Sequence, residues 1–125
     1  MIVGLGIDIV ELDRIERIVD RFGTRFTDRI LTLREQEDMP RNAVPFLAGR
    51  FAAKEAASKA LGTGLALGVS FHSLEVVATA EGKPELRLHA AARDLARSMG
   101  VVSAHLSITH GRDAAVAVVV LEKEG

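Results

Sequence analysis

The period of apolar and polar positions changes several times along the 125-residue chain, and each change predicts an element. Residues 2 to 10, Ile-Val-Gly-Leu-Gly-Ile-Asp-Ile-Val, are apolar at nearly every position, which predicts a short strand buried on both faces. From Leu12 the spacing turns helical, with Ile15, Ile18, Val19 and Phe22 on one side and Gly23 placed to end the helix. Residues 24 to 41 hold many charges, few apolar anchors and Pro40. That predicts short helical turns, one capped by Thr27 and another by Thr32, with Glu35 completing a capping box. Pro45 suits the first turn of a long alanine-rich helix running to about Leu61 and closed by Gly62, Thr63 and Gly64. Residues 70 to 80 and 85 to 89 alternate as a hairpin turning across Glu81 to Pro84, and Ala90 to Met99 reads as a helix ended by Gly100. Residues 103 to 109 and 114 to 122 form a second hairpin, turning at His110 to Asp113. Adjacent strands interrupted by helices predict the α+β class. The expectation is a single domain over residues 1–125, with an antiparallel sheet wrapped on one face by helices, one of them long and central.

Composition narrows the function classes. There are no cysteines, which excludes disulfides, thiolate zinc sites, iron–sulfur clusters and a cysteine nucleophile, and makes a reducing cytoplasm the default compartment. The longest apolar stretch, Ala114 to Leu121, is far short of the ~20 residues of a membrane helix. The N-terminal apolar run contains Asp8 and has no basic residue before it, unlike a secretory leader. Sixteen basic residues against seventeen acidic ones remove the long-range attraction to polyanions. Five phenylalanines, with no tyrosine or tryptophan, leave few stacking platforms for bases, so nucleic acid is not the expected partner.

The candidate chemistry begins with Asp8, because a carboxylate inside an apolar strand is costly unless it is paired, protonated or bound to a metal. A neighbouring helix end or an arginine would also satisfy it. On the long helix, Phe51, Glu55 and Lys59 follow at i, i+4 and i+8 on one face, with Ser58 beside them and small alanines around them. Glu55 and Lys59 read equally well as an ordinary surface ion pair. Two carboxylates from different elements suit magnesium, which leaves its other positions to water and phosphate. A nearby lysine and the Gly62-Thr63-Gly64 turn would then face phosphate oxygens, without any P-loop motif in the chain. On the predicted strand from residue 103, His105, Ser107 and Thr109 share one face and Leu106, Ile108 and His110 the other. Arg14, Arg17 and Arg21 fall in one stripe of the first helix, and Arg25 extends the line. Residues 14 to 34 carry six arginines and three acids, a local basic patch suited to an acidic protein helix or simply to solvent.

Two stretches carry a resemblance. Gly6-Ile-Asp-Ile-Val-Glu-Leu12 and Arg50-Phe-Ala-Ala-Lys-Glu-Ala-Ala-Ser-Lys-Ala-Leu-Gly-Thr-Gly64 resemble the two signatures of the short bacterial 4'-phosphopantetheinyl transferases, the holo-(acyl-carrier-protein) synthase family. The Gly82-Lys-Pro84 turn and His105-Leu-Ser-Ile-Thr-His110 extend the likeness over essentially the whole chain. The resemblance implies magnesium-dependent transfer of the phosphopantetheine arm of coenzyme A to a serine of apo acyl carrier protein, releasing adenosine 3',5'-bisphosphate, in fatty acid biosynthesis. It implies Asp8 and Glu55 as metal ligands, Lys59 at the leaving phosphate, and Glu55 or a metal-bound water as the base. It also implies Arg50, Ser58, Gly62, Thr63, Gly64, His105 and Thr109 on the coenzyme A side, and the arginines 14, 17, 21 and 25 on the carrier side. A cytoplasmic homotrimer with sites between subunits is implied as well. The longer two-domain relatives carry another acid two residues after the aspartate, where this chain has Val10. A non-catalytic adaptor using the arginine stripe, and a regulator that holds coenzyme A without turnover, are the competing readings.

Overall fold

The computed structural model describes residues 1–125, and its organisation follows from one helix that is buried on most of its surface. That helix, α4 (Ala43–Leu61), starts two residues before Pro45 and ends on Gly62 at φ +85°, a left-handed conformation suited to glycine. Leu47, Ala48, Ala52, Ala53, Ala56, Ala57, Ala60 and Leu61 are all buried. Small side chains let the rest of the chain approach it closely, and beyond its first three residues only the line Phe46, Arg50, Phe51, Glu55, Lys59 reaches solvent.

Before α4 come β1 (Ile2–Glu11), α1 (Leu12–Phe22), α2 (Thr24–Ile30) and α3 (Leu33–Glu37). After it come β2 (Leu74–Ala78), β3 (Pro84–Leu88), α5 (Ala90–Ser98), β4 (Val101–His110) and β5 (Ala114–Lys123). The strands divide into a three-stranded antiparallel sheet in the order β1-β5-β4 and a separate hairpin of β2 with β3. The α+β class, the antiparallel pairing and the long central helix are as the sequence predicts.

Gly4 and Gly6 bring β1 onto α4. A Cβ on Gly6 would lie 1.8 Å from the Ala56 carbonyl oxygen, and one on Gly4 would lie 2.3 Å from that of Ala60. Strand backbone and helix backbone therefore touch where a side chain would normally intervene. The register of β1 on β5 places Asp8 opposite Ala117, on the helix side of the sheet.

Three local expectations are corrected. The first strand is covered on one face only: Leu5, Ile7 and Ile9 are 64%, 61% and 65% exposed, because they point to the outer face of the sheet, which no helix of this chain covers. Thr27 is a buried residue inside α2, and Gly23 is the residue that precedes that helix. Residues 71 to 73 form a 3-10 turn, so the hairpin strand begins at Leu74. The capping box of Thr32 and Glu35 is present, with each side chain accepting the other's backbone N–H.

Glu35 belongs to a buried polar cluster that the sequence pattern does not reveal. The Lys54 ammonium, fully buried on α4, donates to Glu35 Oε1 at 2.6 Å, to the Ile30 carbonyl at 2.6 Å and to the Phe71 carbonyl at 2.9 Å. Glu35 Oε2 accepts the Val76 N–H at 3.1 Å. One charged pair thus ties the end of α2, the start of α3, the 3-10 turn and β2 to the central helix. Burial pushes the Lys54 ammonium below its ordinary pKa, opposed by the charge and hydrogen bond of Glu35.

Candidate functional site

The packing of β1 on α4 creates the site. Asp8 projects from the strand toward the helix, and its Oδ1 accepts from the Lys59 ammonium at 2.9 Å, while the same ammonium lies 3.2 Å from the Ile7 carbonyl. The Asp8 side chain is 17% exposed and that of Lys59 51%, so the pair stands at the edge of solvent. Asp8 is compensated by a lysine, whereas the sequence had left an arginine, a helix end or a metal open.

Glu55 lies one turn before Lys59 on the same open line of α4. Burial raises its pKa first and the Asp8 charge raises it further, against the opposing pull of Lys59 and Arg14. Glu55 and Asp8 are therefore close enough to repel, which is the condition a cation between them would relieve. This donor set fits a hard divalent ion, because magnesium takes one or two carboxylates and fills its other positions with water or phosphate. No histidine or third acid joins them, and Val10, two residues after Asp8, is buried in the core. Arg14 enters the site too: its guanidinium lies 5.6 Å from the centre of the Phe51 ring and its charge acts on Glu55. The sequence placed Arg14 only in the basic stripe, since nothing in a linear pattern reports that α1 passes beside α4.

Of the other candidates, Arg50 follows the same line of α4. Its guanidinium stacks 4.3 Å from the centre of the Phe46 ring, and its Nε is buried without a hydrogen-bond partner. Burial lowers its pKa, opposed by Glu35 and Asp38. Ser58 is fully buried and donates to the Glu55 carbonyl at 2.7 Å, so its hydroxyl is turned to its own helix rather than to the open line. In the Gly62-Thr63-Gly64 turn, two N–H groups close the helix, from Gly62 to the Lys59 carbonyl and from Gly64 to the Ser58 carbonyl. The Thr63 hydroxyl donates to the Gly64 carbonyl. Those groups are already engaged within the chain.

His105 and Thr109 lie across the sheet from Asp8. Register places His105 beside Val120 and Thr109 beside Val116 on the outer face, whereas Asp8, Ala117 and Ile108 form a row on the helix face. His105 Nε2 lies 3.1 Å from Glu122 Oε1, and that hydrogen bond is the main influence lowering the Glu122 pKa. One chain therefore does not bring His105 or Thr109 to Asp8.

Beside the site opens a cleft of about 530 Å³. Ile18, Phe22, Phe26, Phe51 and Phe71 line it, with Arg25 on its wall. Phe51 lies one turn before Glu55, so the cleft and the carboxylates adjoin along α4. Arg14, Arg17, Arg21 and Arg25 are all exposed; Arg21 and Arg25 hold their guanidinium groups 5.2 and 5.9 Å from the Phe22 ring centre. Basic and apolar groups thus form one continuous surface. The phenylalanines from α2 and the 3-10 turn were missed in the sequence because each is isolated in its own segment.

Comparison with known proteins gives a consistent outcome. Residues 4–119 match the 4'-phosphopantetheinyl transferase superfamily. The chain is 57% identical over 124 residues to the holo-(acyl-carrier-protein) synthase of Maridesulfovibrio salexigens, covering 98% of this chain and 100% of that one. The crystal structure of the corresponding synthase from Neisseria meningitidis superposes with a TM-score of 0.92 at 42% identity, over 98% of this chain and 100% of that chain. The synthase from Bacillus anthracis, solved in complex with coenzyme A (3',5'-ADP), superposes with a TM-score of 0.82 at 44% identity, over 99% of each chain.

Proposed function

This chain belongs to the 4'-phosphopantetheinyl transferase superfamily, and we infer on that premise that it moves the phosphopantetheine arm of coenzyme A onto a serine hydroxyl of apo acyl carrier protein. Adenosine 3',5'-bisphosphate leaves, and the product carrier serves fatty acid synthesis. The observation that carries the residue assignments is the convergence of Asp8 from β1 with Glu55 and Lys59 from α4 at the edge of an apolar, arginine-rimmed cleft.

The serine oxygen attacks the phosphorus bonded to the pantetheine oxygen, and the bond from that phosphorus to the bridging oxygen of the pyrophosphate breaks. Such transfers need positioning and charge neutralisation more than a protein nucleophile. Asp8 and Glu55 would hold magnesium, which when bound draws charge from the pyrophosphate oxygens and makes the phosphorus more electrophilic. Glu55, or a water held beside the two carboxylates, takes the serine proton as the oxygen attacks. Lys59, half exposed and tethered to Asp8, places a fixed positive charge where the leaving phosphate gathers negative charge. The carrier docks on α1 and the cleft. Arg14, Arg17, Arg21 and Arg25 meet its acidic helix, steering encounter at range and pairing with carboxylates on contact.

Coenzyme A needs more surface than one chain offers near Asp8. Arg50 reaches toward the nucleotide from α4. The exposed aliphatic strip of β1 supports assembly into a trimer, in which His105 and Thr109 of a second copy face this site. No helix of the chain is long and apolar enough to cross a membrane.

Intact-mass spectrometry of an apo acyl carrier protein, incubated with the chain and coenzyme A, tests the reading. One added phosphopantetheine arm is expected with magnesium and none with a chelator, and both Asp8→Asn and Glu55→Gln should abolish the gain while remaining folded. Magnesium-independent transfer, or full turnover in both variants, would overturn the assigned roles. Light scattering of the same preparation should give the mass of three chains, and a monomer that turns over would remove the shared site.

A further inference from the structure

After α4 the chain makes a tight turn, closed by the Val69 N–H donating to the Ala66 carbonyl at 3.0 Å. Its two central residues both have positive φ, +56° at Leu67 and +85° at Gly68. Glycine suits the second position. At the first, the left-handed region favours Gly, Asn or Asp, and a leucine there costs about 1–2 kcal/mol of backbone strain. Packing does not offset that cost, because Leu67 is 84% exposed, the most exposed large hydrophobic residue of the chain. The fold thus gains nothing from this leucine: its backbone is strained and its side chain lies in water.

The position of the turn supplies a use for it. Leu65, two residues earlier, lines the cleft together with Phe22, Phe26, Phe51 and Phe71, and Arg25 and Arg29 stand on the same wall. The turn that carries Leu67 therefore leaves from the edge of an apolar cleft walled by positive charge, and its Gly68 faces Ala91 of α5. An acidic partner complements that charge. A second copy of the chain has its own apolar strip to cover, Leu5, Ile7 and Ile9 on the outer side of the sheet.

We propose that Leu67 is a specificity-determining contact for the carrier protein, burying against an apolar side chain of the carrier while the carrier's acidic groups meet Arg21 and Arg25. The proposal rests on the reading of α1 and the cleft as the carrier's docking surface. Strain is retained at this position because the side chain is used in recognition and not in folding. A leucine also sets a preference: carriers with a small polar residue opposite the turn lose the contact, and those with an aliphatic residue keep it.

The test measures steady-state transfer to a bacterial apo acyl carrier protein, with coenzyme A and magnesium, for Leu67→Asn, Leu67→Gly and Arg21→Glu. Melting temperature and molecular mass are recorded for each. Both Leu67 variants should raise KM for the carrier about tenfold, leave KM for coenzyme A unchanged, and melt at or above the wild-type temperature because asparagine and glycine relieve the backbone. An unchanged carrier KM in both, with Arg21→Glu raising it, overturns the role of Leu67 and leaves the docking surface standing. No change in any of the three overturns the docking surface as well. A lowered melting temperature, a raised KM for coenzyme A, or an altered molecular mass would each assign Leu67 to the fold, the nucleotide or the subunit contact, and overturn the proposal.

Discussion

Substituting Gly6 by alanine tests whether backbone contact between β1 and α4 sets the geometry of the site. The added Cβ would lie 1.8 Å from the Ala56 carbonyl oxygen and 2.9 Å from the Ala60 nitrogen. Ordinary contact begins near 3.4 Å, so strand and helix must part locally by about 1.6 Å. Both obstacles are helix backbone, which cannot swing aside as a side chain can. Overpacking of this kind costs about 1–3 kcal/mol, an amount that leaves a typical domain folded at moderate temperature. The effect on chemistry is larger, because Asp8 is two residues along the same face and moves with the strand, away from Glu55 and Lys59. A misplacement of about 1 Å lowers turnover about 100-fold. The assay is transfer of the phosphopantetheine arm, run at a temperature where a urea melt shows Gly6→Ala fully folded. Gly111→Ala serves as reference, since its Cβ meets only the Ala114 carbonyl oxygen, at 3.6 Å, and it should match the wild type. Turnover by folded Gly6→Ala within twofold of the wild type would refute the claim that this contact positions Asp8.

Lys54→Met removes a fully buried ammonium that bonds Glu35 and two backbone carbonyls, leaving Glu35 unpaired. Equilibrium urea unfolding should show a loss of about 3–5 kcal/mol, and a loss below about 1 kcal/mol would contradict the network's role. Glu75 gives the pH dependence. Burial tends to raise its pKa, but hydrogen bonds from Thr32 and His89 and the charges of His89 and Arg34 outweigh that and hold it below the ordinary value of 4.5. A carboxyl lowered by folding stabilises above its unfolded pKa, and that contribution is lost as pH falls through the folded value. The wild type should therefore lose stability on acidification below about pH 4.5 more steeply than Glu75→Gln, as followed by melting temperature against pH; parallel curves would remove Glu75 from the acid response.

Much of this was legible because local signals and tertiary needs coincide. Gly23, the Thr32 and Glu35 capping box, Pro45 and Gly62 mark helix ends by backbone rules that do not depend on the rest of the chain. The spacing of Phe51, Glu55 and Lys59 placed them on one face, and that face is the open line of an otherwise buried helix. What the pattern misjudged was long-range. Leu5, Ile7 and Ile9 look like core to any periodicity argument, yet helices cover only one face of the sheet and these three point to the other. Lys54 carries no mark of burial, since lysine in an alanine-rich helix reads as a solubilising residue until Glu35 and two carbonyls arrive from segments 17 to 24 residues away. Gly4 and Gly6 did carry a signal, two glycines on one face of a strand, matched by Ala56 and Ala60 one turn apart on the helix.

The alternation of β1 also explains why one chain presents only part of a nucleotide site. Gly4, Gly6 and Asp8 face α4, and Leu5, Ile7 and Ile9 between them face away. On the outer face the register aligns Leu5 with Val120 and His105, Ile7 with Val118 and Ser107, and Ile9 with Val116 and Thr109. Each row is thus aliphatic at the β1 edge and polar at the β4 edge. Covering an aliphatic strip contributes roughly 25 cal/mol per Å² removed from water, whereas the polar edge gains by meeting a charged or hydrogen-bonding ligand. In the proposed trimer both demands are met by the same contact, since a neighbouring copy that covers the strip carries its His105 and Thr109 edge with it. Ile7 and Asp8 are consecutive residues on opposite faces of one pleat. Assembly of the proposed trimer on one side of β1 would therefore fix the backbone that holds Asp8 on the other.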